Sequence, residues 1–359
     1  YSVRTTVNYF VKNGSTVNLC ALGLSRAFDR VNHYCMFIKL LERKIPLNFV
    51  LLFECLYSKS YISVRWCNSF SYFVCLTAGV RQGGILSPHL FAVYVDSILV
   101  ALSNSNLGCR IRGIFVGAFM YADDLLLLSA SVVDLQKMID ICSAELENLD
   151  MVIDVNKTMC IRVGVRCNSR CVNIVLDDQP LRWVSEIRYL GIFIVCSRTF
   201  RVSFDQARKR FFVAVNSIFS KINKNQINVV LSLVKTFCIP LLLFGVESCD
   251  INLTERTRID NCFKSVFNKL FCTYSKEIIK SCQYYTGCLP LNYLIDQRTL
   301  CFRRNLHDFQ GINSVVYFLF SLASKEFNVC ASKYNINPED SKYCIKNKIW
   351  NYFELSVNS

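Results

Sequence analysis

Two adjacent carboxylates, Asp123 and Asp124, lie between an aromatic residue and a run of four leucines in the segment YADDLLLLS, residues 121–129. Aspartate is a favoured turn residue, so the pair could simply form the tip of a hairpin between residues 114–122 and 125–130. The chemical alternative is that the turn holds both carboxylates toward a divalent cation, because Mg²⁺ prefers oxygen ligands and is usually bound together with substrate phosphates. Other segments of the chain must decide between the two interpretations.

The composition indicates a folded chain with a positive net charge. Of its 359 residues 52% are hydrophobic, which is enough for a large core, and we expect two or three structural units. The formal net charge is +14, and residues 201–359 carry 21 Lys and Arg against 12 Asp and Glu. This balance favours a polyanionic partner, either nucleic acid or an anionic membrane, because neutralising phosphates releases condensed counterions.

The twenty cysteines are scattered along the chain, and its start does not have the pattern of a signal peptide. We therefore predict reduced, mostly buried thiols in an intracellular protein, nuclear or cytoplasmic and not secreted. The closest group is Cys160, Cys167 and Cys171, which has neither a CxxC spacing nor a neighbouring histidine, so we expect no zinc site.

The longest apolar segment, residues 229–246, is interrupted by a charge and a proline at Lys235 and Pro240. These interruptions predict a buried or amphipathic helix in place of a membrane span, and no membrane partner.

The first third of the chain predicts strands that alternate with helices. A buried strand at residues 16–24 leads into a helix at 33–42, and residues 62–66 and 71–77 are expected to pair as a hairpin. Ser87 is the predicted N-cap of the next helix. The apolar face of that helix repeats every fourth residue, at Leu90, Tyr94, Ile98 and Leu102.

A second helix is predicted at residues 132–151, followed by a strand pair at 153–165 and a short hairpin at 188–191. Its inner face consists of Leu135, Met138, Ile139, Cys142, Leu146 and Leu149. Residues 204–222 and 229–243 then read as helices, and beyond about residue 290 the signals weaken to a polar stretch with the loop dipeptide Asn337-Pro338. The order of elements predicts an α+β fold, a small split βαβ sheet with helices on one face.

Four segments, taken in order, resemble the palm of reverse transcriptases from non-LTR (LINE-type) retrotransposons. They are LSRAFDRVNH at 24–33, GVRQGGILSPHLFAVYVD at 79–96, YADD at 121–124, and DVNKT at 154–158 together with RYLG at 188–191. The resemblance covers about residues 16–250 and implies a right-hand polymerase. It implies a palm with a remnant of the fingers at 1–197, an α-helical thumb-like region at 198–290, and a helical or irregular extension at 291–359.

The resemblance also implies an activity, RNA-directed DNA synthesis with two Mg²⁺ ions, acting on an RNA template, a DNA primer and deoxynucleoside triphosphates. Only about fifteen residues precede the first strand, so we expect a chain truncated at its N-terminus. The oligomeric state stays unknown.

Specific roles follow from the matching positions. Asp123 and Asp124 match metal-binding catalytic carboxylates, and Lys157 matches the lysine proposed to protonate the leaving pyrophosphate. The resemblance also implies substrate-binding roles. Phe28 would contact the ribose 2′-OH, and Gln82 and Gly83 would lie near the incoming base and template. Tyr121 would lie at the primer end, and Tyr189, Leu190 and Gly191 would form a primer-gripping hairpin. Each has a simpler alternative, such as core packing for Phe28 and Leu190, or a solvated charge for Lys157.

Gly23 departs from the family pattern. The expected LDLS reads LGLS, so the position of a metal-binding aspartate holds a glycine, which offers a backbone carbonyl but no bridging carboxylate. Asp29 lies six residues further on, where a carboxylate at the start of a helix is its simpler role. We therefore expect little or no polymerase activity, and the alternative function is a catalytically inactive remnant that still binds nucleic acid.

Overall fold

The computed structural model describes residues 1–223, 225–308, 319, 324–337 and 339–358, and the chain forms two compact units. The N-terminal unit comprises residues 10–190 and 196–198, and the C-terminal unit comprises residues 1–9, 191–195 and 199–359. The predicted division into three regions, at 1–197, 198–290 and 291–359, stays a prediction. Pro338 of the predicted loop dipeptide lies outside the described residues.

The chain opens with helix α1 (Ser2–Lys12). The helices that lie wholly in the N-terminal unit are α2 (His33–Glu42), α3 (Leu47–Ser58), α4 (Ser87–Asn104) and α5 (Val132–Glu147), with a 3₁₀ turn at Ala27–Arg30. Its strands are β1 (Val17–Gly23), β2 (Tyr61–Ile62), β3 (Arg65–Trp66), β4 (Ser69–Phe70), β5 (Val74–Cys75), β6 (Arg110–Ile111), β7 (Ile114–Phe115), β8 (Ala118–Tyr121), β9 (Asp124–Ser129), β10 (Met159–Val163), β11 (Val175–Leu176), β12 (Gln179–Pro180), β13 (Arg182–Trp183) and β14 (Glu186–Tyr189).

A five-stranded sheet in the order β13-β10-β1-β9-β8 is the centre of the N-terminal unit. β1 runs antiparallel to both of its neighbours, β10 and β9, so it is the middle strand. Helix α5 packs against β1 and β9, and α4 packs against α5. The predicted α+β sheet with packed helices is confirmed.

The pairing of β1 with β9 is stabilised by burial. Residues 125–128 of β9 are four leucines that are at most 1% exposed, and burying them contributes about 6–12 kcal/mol in total. Leu22 pairs with Leu125 and Gly23 with Asp124. A shift by one residue would turn every side chain to the opposite face of the sheet and would move Asp124 out of its place opposite Gly23.

Several predicted elements are confirmed at close to their predicted bounds: the strand at 16–24, the helix at 33–42, and the apolar faces of α4 and α5. The predicted hairpin at 62–77 also forms. Its strands pair as two short ladders, β2 with β5 and β3 with β4.

The predicted strand pair at 153–165 is wrong. Only β10 forms a strand there, because the Asp154 carboxylate accepts a hydrogen bond from the backbone N–H of Asn156 at 3.0 Å and closes a turn. Ile153 makes only an isolated bridge to Leu24. Aspartate side chains compete in this way with sheet hydrogen bonds.

Ser87 is not the N-cap of α4. It is the first residue of the helix, and its hydroxyl instead donates to the carbonyl of Arg81, which ties the helix start to the preceding glycine-rich turn. Pro88 does occupy the first helical turn, as its missing N–H allows.

The C-terminal unit is mainly helical. It contains the hairpin β15 (Ile192–Val195) and β16 (Arg201–Ser203), followed by α6 (Asp205–Lys221), α7 (Ile227–Leu233), a π-helical turn (Val234–Cys238), α8 (Ile239–Leu242), a 3₁₀ turn (Val246–Ser248), α9 (Leu253–Phe271), α10 (Lys276–Tyr285), α11 (Leu291–Asp308), α12 (Ser324–Lys333) and α13 (Lys342–Asn358). Its core is rich in phenylalanine, including Phe211, Phe263 and Phe267. The helical region predicted after the sheet is confirmed.

The apolar segment that covers α7 and α8 is long and apolar enough, at residues 227–248, to qualify as a membrane span by length and composition. About 44% of its most apolar window is buried inside the protein. The expectation of a protein without a membrane partner stays a prediction.

Candidate active site

The two carboxylates lie at the turn between β8 and β9. Tyr121 pairs with Asp124 across the hairpin, so Ala122 and Asp123 form the tip and Asp124 is the first residue of β9. Ala122 has a left-handed φ of 52°. A non-glycine residue in this region carries about 1–3 kcal/mol of strain, which the ladder on either side must hold, and such strain is commonly found at functional turns.

Gly23 lies directly across from Asp124 in the β1–β9 register. Side chains of directly paired residues point to the same face of a sheet, with Cβ atoms about 4.5–5.5 Å apart. A carboxylate at position 23 would therefore stand next to the one at 124. The glycine leaves this neighbouring position without any side chain.

The turn at residues 154–158 closes over Gly23. The backbone N–H of Asp154 donates to the Gly23 carbonyl at 2.8 Å, and the Gly23 N–H donates to the Thr158 hydroxyl at 3.4 Å. A Cβ atom placed on Gly23 would lie 2.7 Å from the Cβ of Lys157. The carbonyl predicted as a possible metal ligand is thus already a hydrogen-bond acceptor, and the turn occupies the space beside it.

Lys157, the predicted general acid, pairs with an acid of its own turn. Its Nζ lies 3.3 Å from the carboxylate of Asp154, and its side chain is 65% exposed. Desolvation acts to raise the pKa of Asp154, but hydrogen bonds from Lys157 and from the backbone N–H of Asn156 and Lys157 outweigh it and lower that pKa.

Asp124 carries an unfavourable charge. Desolvation first, and then the charge of Asp123, raise the pKa of Asp124, while the Arg188 guanidinium acts in the opposite direction. The arrangement favours a cation at the hairpin tip. The sequence does not indicate this effect of Arg188 on Asp124. Its one signal there is its place in the RYLG segment, next to Tyr189.

Two carboxylates suit one divalent cation, but they do not complete a two-ion centre. Within the part of the chain that the structure describes, no group of three or more His, Cys, Asp or Glu side chains could hold a metal ion. The third carboxylate would have to come from position 23. The residues present therefore do not fit the two-ion centre that the resemblance implies.

Phe28, Gln82 and Gly83 lie at a neighbouring edge of the same unit. The Phe28 ring stacks on Phe91, with centroids 4.5 Å apart and planes at 18°, and the Phe28 carbonyl accepts a hydrogen bond from Val80 N–H at 2.8 Å. The Gln82 amide donates to the Asp29 carboxylate at 3.2 Å. Asp29 is thus held by Gln82.

Tyr121 and the segment 189–191 are more exposed. Tyr121 is 69% exposed, as a primer-contacting ring would have to be. Desolvation and the charge of Asp124 raise the pKa of Tyr189, whose hydroxyl donates to the Phe119 carbonyl at 3.1 Å. Leu190 and Gly191 have φ of 46° and 80°, values typical of a two-residue hairpin turn.

Gly23→Ala is expected to lower the free energy of unfolding by about 1–3 kcal/mol, because the new Cβ forces the 154–158 turn outward. Urea unfolding measures the change. In a Lys157→Gly background the opposing Cβ is gone, so Gly23→Ala should then cost much less. Equal costs in both backgrounds would show that the turn does not press on position 23.

Asp124→Asn is expected to stabilise the chain at neutral pH, because the folded state raises the pKa of this carboxyl and therefore disfavours its ionised form. Both states bind the proton below the ordinary value of about 3.9, so the gain appears as pH rises through the raised pKa and is absent at lower pH. Unfolding free energies across this range test it, with Asp178→Asn at an exposed turn as the control. A gain that persists in acid would contradict the electrostatic cause.

The family described as reverse transcriptase (RNA-dependent DNA polymerase) matches residues 3–194, more than half of the chain. A retrovirus-related Pol polyprotein of a type-2 retrotransposable element from Drosophila melanogaster is 29% identical over 182 residues, covering 48% of this chain and 17% of that protein. The RNA-directed DNA polymerase from mobile element jockey of Drosophila funebris is 24% identical over 244 residues, covering 64% and 25%. A Pol polyprotein of a type-1 retrotransposable element from Popillia japonica is 27% identical over 254 residues, covering 68% and 35%.

The chain therefore spans between about a sixth and a third of these relatives' length. Apo telomerase from Candida tropicalis is similar in structure over 98% of this chain and 56% of its own, at 13% identity and a TM-score of 0.43, a likeness too weak to add to the argument. The family match and the retrotransposon relatives confirm the resemblance seen in the sequence: this chain belongs to the reverse transcriptase family, of the kind found in non-LTR, LINE-type retrotransposons.

Proposed function

We propose that this chain is an RNA-directed DNA polymerase fragment of a retrotransposon whose nucleotidyl transfer is impaired at position 23. The observation that carries the proposal is the pairing of Gly23 with Asp124, which leaves two carboxylates at a centre where the family pattern has three. Substrates would be an RNA template, a DNA primer and deoxynucleoside triphosphates.

Phosphoryl transfer depends on positioning and on stabilising negative charge, which in two-metal enzymes the ions supply by clamping the attacking and leaving oxygens. Asp123 and Asp124 alone favour one cation at the hairpin tip. Losing even an outer partner of a metal ligand typically costs about 10- to 100-fold in affinity or activity. Losing a ligand carboxylate should cost at least as much.

The other site residues support substrate binding more than chemistry. The Phe28 ring stacks on Phe91, and the Phe28 backbone carbonyl accepts a hydrogen bond from Val80 N–H. The ring therefore has a fixed position against which a sugar could pack. Tyr121 offers an exposed ring beside the carboxylates. Lys157 would have to leave its partner Asp154 before it could protonate a leaving group.

An intracellular location, nuclear or cytoplasmic, fits the same proposal. All twenty cysteines are free of disulfides, although only eight are buried, eight are half-buried and four are exposed, so the expectation of mostly buried thiols is wrong. Exposed thiols such as Cys67 and Cys272 keep their reduced form best in a reducing compartment.

The second candidate is a catalytically inactive remnant that binds nucleic acid. The observation that favours it is the same missing carboxylate, together with the net charge of +14. Such a protein would bind duplexes with a steep dependence on salt and would show no metal-dependent turnover.

The full chain is expected to extend a DNA primer on an RNA template only weakly with Mg²⁺ or Mn²⁺, at a rate within about tenfold of its own Asp123→Asn variant. The reason is that the missing carboxylate at 23 already removes most of what Asp123 could contribute to the centre. Single-turnover extension of a labelled primer measures both rates.

Gly23→Asp provides the matched gain-of-function variant, provided that its unfolding free energy shows it to be folded. Faster extension by this variant than by the unaltered chain supports the impaired-polymerase proposal. No extension by either, with salt-dependent duplex binding retained, supports the inactive remnant. Robust synthesis by the unaltered chain that Asp123→Asn abolishes would overturn both.

A further inference from the structure

A hairpin outside the active site exposes aromatic rings to solvent on both of its faces. We call residues 60–76 the aromatic hairpin. Its strands are joined by backbone hydrogen bonds from Leu76 N–H to Ser60 O and from Ser71 N–H to Val64 O, each 2.9 Å long. Every residue from 64 to 75 is exposed. An isolated two-stranded hairpin is only marginally stable in water, so this one gains from a ligand that covers it.

The exposed rings form the largest group of uncovered aromatics along any short segment of the described chain. Five of the fourteen residues from 61 to 74 are aromatic. The most exposed are Trp66 at 79%, Phe70 at 68%, Tyr72 at 94% and Phe73 at 77%. A contiguous exposed apolar patch of this kind is typical of a binding surface.

The charge around the aromatic hairpin identifies the kind of ligand. No Asp or Glu occurs between Glu54 and Asp96, whereas Lys59, Arg65 and Arg81 lie in that interval. The Arg65 guanidinium sits 5.7 Å from the centroid of the Phe70 ring, which leaves a cation beside an aromatic face. Aromatic faces alternating with basic side chains bind single-stranded nucleic acid, because bases stack on the rings while cations meet the phosphates.

The base of the aromatic hairpin is followed in the chain by Gln82, a predicted substrate-binding residue. Only five residues separate Leu76 from Gln82, and among them Val80 N–H donates to the carbonyl of Phe28 at 2.8 Å. Gln82 in turn donates to Asp29. A strand held at Phe28 and Gln82 would therefore lie only a few residues along the chain from the base of the aromatic hairpin.

We propose that the aromatic hairpin is a stacking platform for unpaired bases of a nucleic-acid strand, with Trp66 and Phe73 as its principal rings and Arg65 as a phosphate contact. The inference rests on the proposed nucleic-acid substrate but not on the metal centre. Binding is tolerant of sequence, because every base has a π-face, and discriminates against duplexes, whose base faces are covered.

Fluorescence anisotropy with short labelled oligo(dT) and oligo(rU), in a buffer containing EDTA, tests the platform on the full chain. We expect both strands to bind, and a duplex of the same length to bind more weakly. Trp66→Ala and Phe73→Ala should each weaken single-strand binding at least about fivefold, whereas Tyr274→Ala, a similarly exposed ring in the C-terminal unit, should not.

A second readout separates stacking from a general loss of structure. Stacking of a base on Trp66 should quench part of the intrinsic fluorescence, and Trp66→Phe should lose that quenching while it keeps most of the affinity. Because the substituted side chains are exposed, all variants should unfold at the temperature of the unaltered chain.

The contrary results are distinct. Equal affinity of Trp66→Ala and the unaltered chain for single strands would overturn the platform. It would also be overturned if the unaltered chain dimerises and Trp66→Ala abolishes the dimer while single-strand binding stays unchanged. Neither result depends on metal or on DNA synthesis, so a failure here and a failure of the proposed polymerase function would be told apart.

Discussion

The structure of the site depends on the antiparallel register between β1 and β9. Burial of the four leucines at residues 125–128 contributes about 6–12 kcal/mol to folding, far more than any single polar contact at the sheet's end. Their burial holds Asp124 opposite residue 23 whatever residue 23 is. The core therefore keeps position 23 beside Asp124 whether or not a carboxylate stands there, and so the proposed loss of a metal ligand is compatible with an intact fold.

The turn at residues 154–158 occupies the space beside the glycine. It donates to the Gly23 carbonyl and places the Cβ of Lys157 where a side chain at 23 would begin. Reintroducing a carboxylate at this position would thus require the turn to move. At the hairpin tip, desolvation and the charge of Asp123 raise the pKa of Asp124, and only the charge of Arg188 acts in the opposite direction.

Much of the sheet and its helices could be predicted from the sequence, since β1, α2 and the inner face of α4 follow directly from buried runs and helical periodicity. The family resemblance also assigned position 23 and the Asp123–Asp124 pair to one metal centre, and the structure pairs Gly23 with Asp124. Two features could not be predicted. The turn at 154–158 depends on bonds from the Asp154 side chain to the backbone, which compete with a strand that apolar residues alone would favour. The aromatic hairpin has the composition of a buried strand pair, and only its place in the fold shows that its rings are uncovered.

The central claim is that the carboxylate centre is one ligand short. Calorimetric titration of the chain with Mn²⁺ tests this most directly, because it counts bound ions without requiring substrate or turnover. We expect at most one weakly bound ion per chain, lost on Asp123→Asn substitution. Two ions bound with high affinity by the unaltered chain would contradict it.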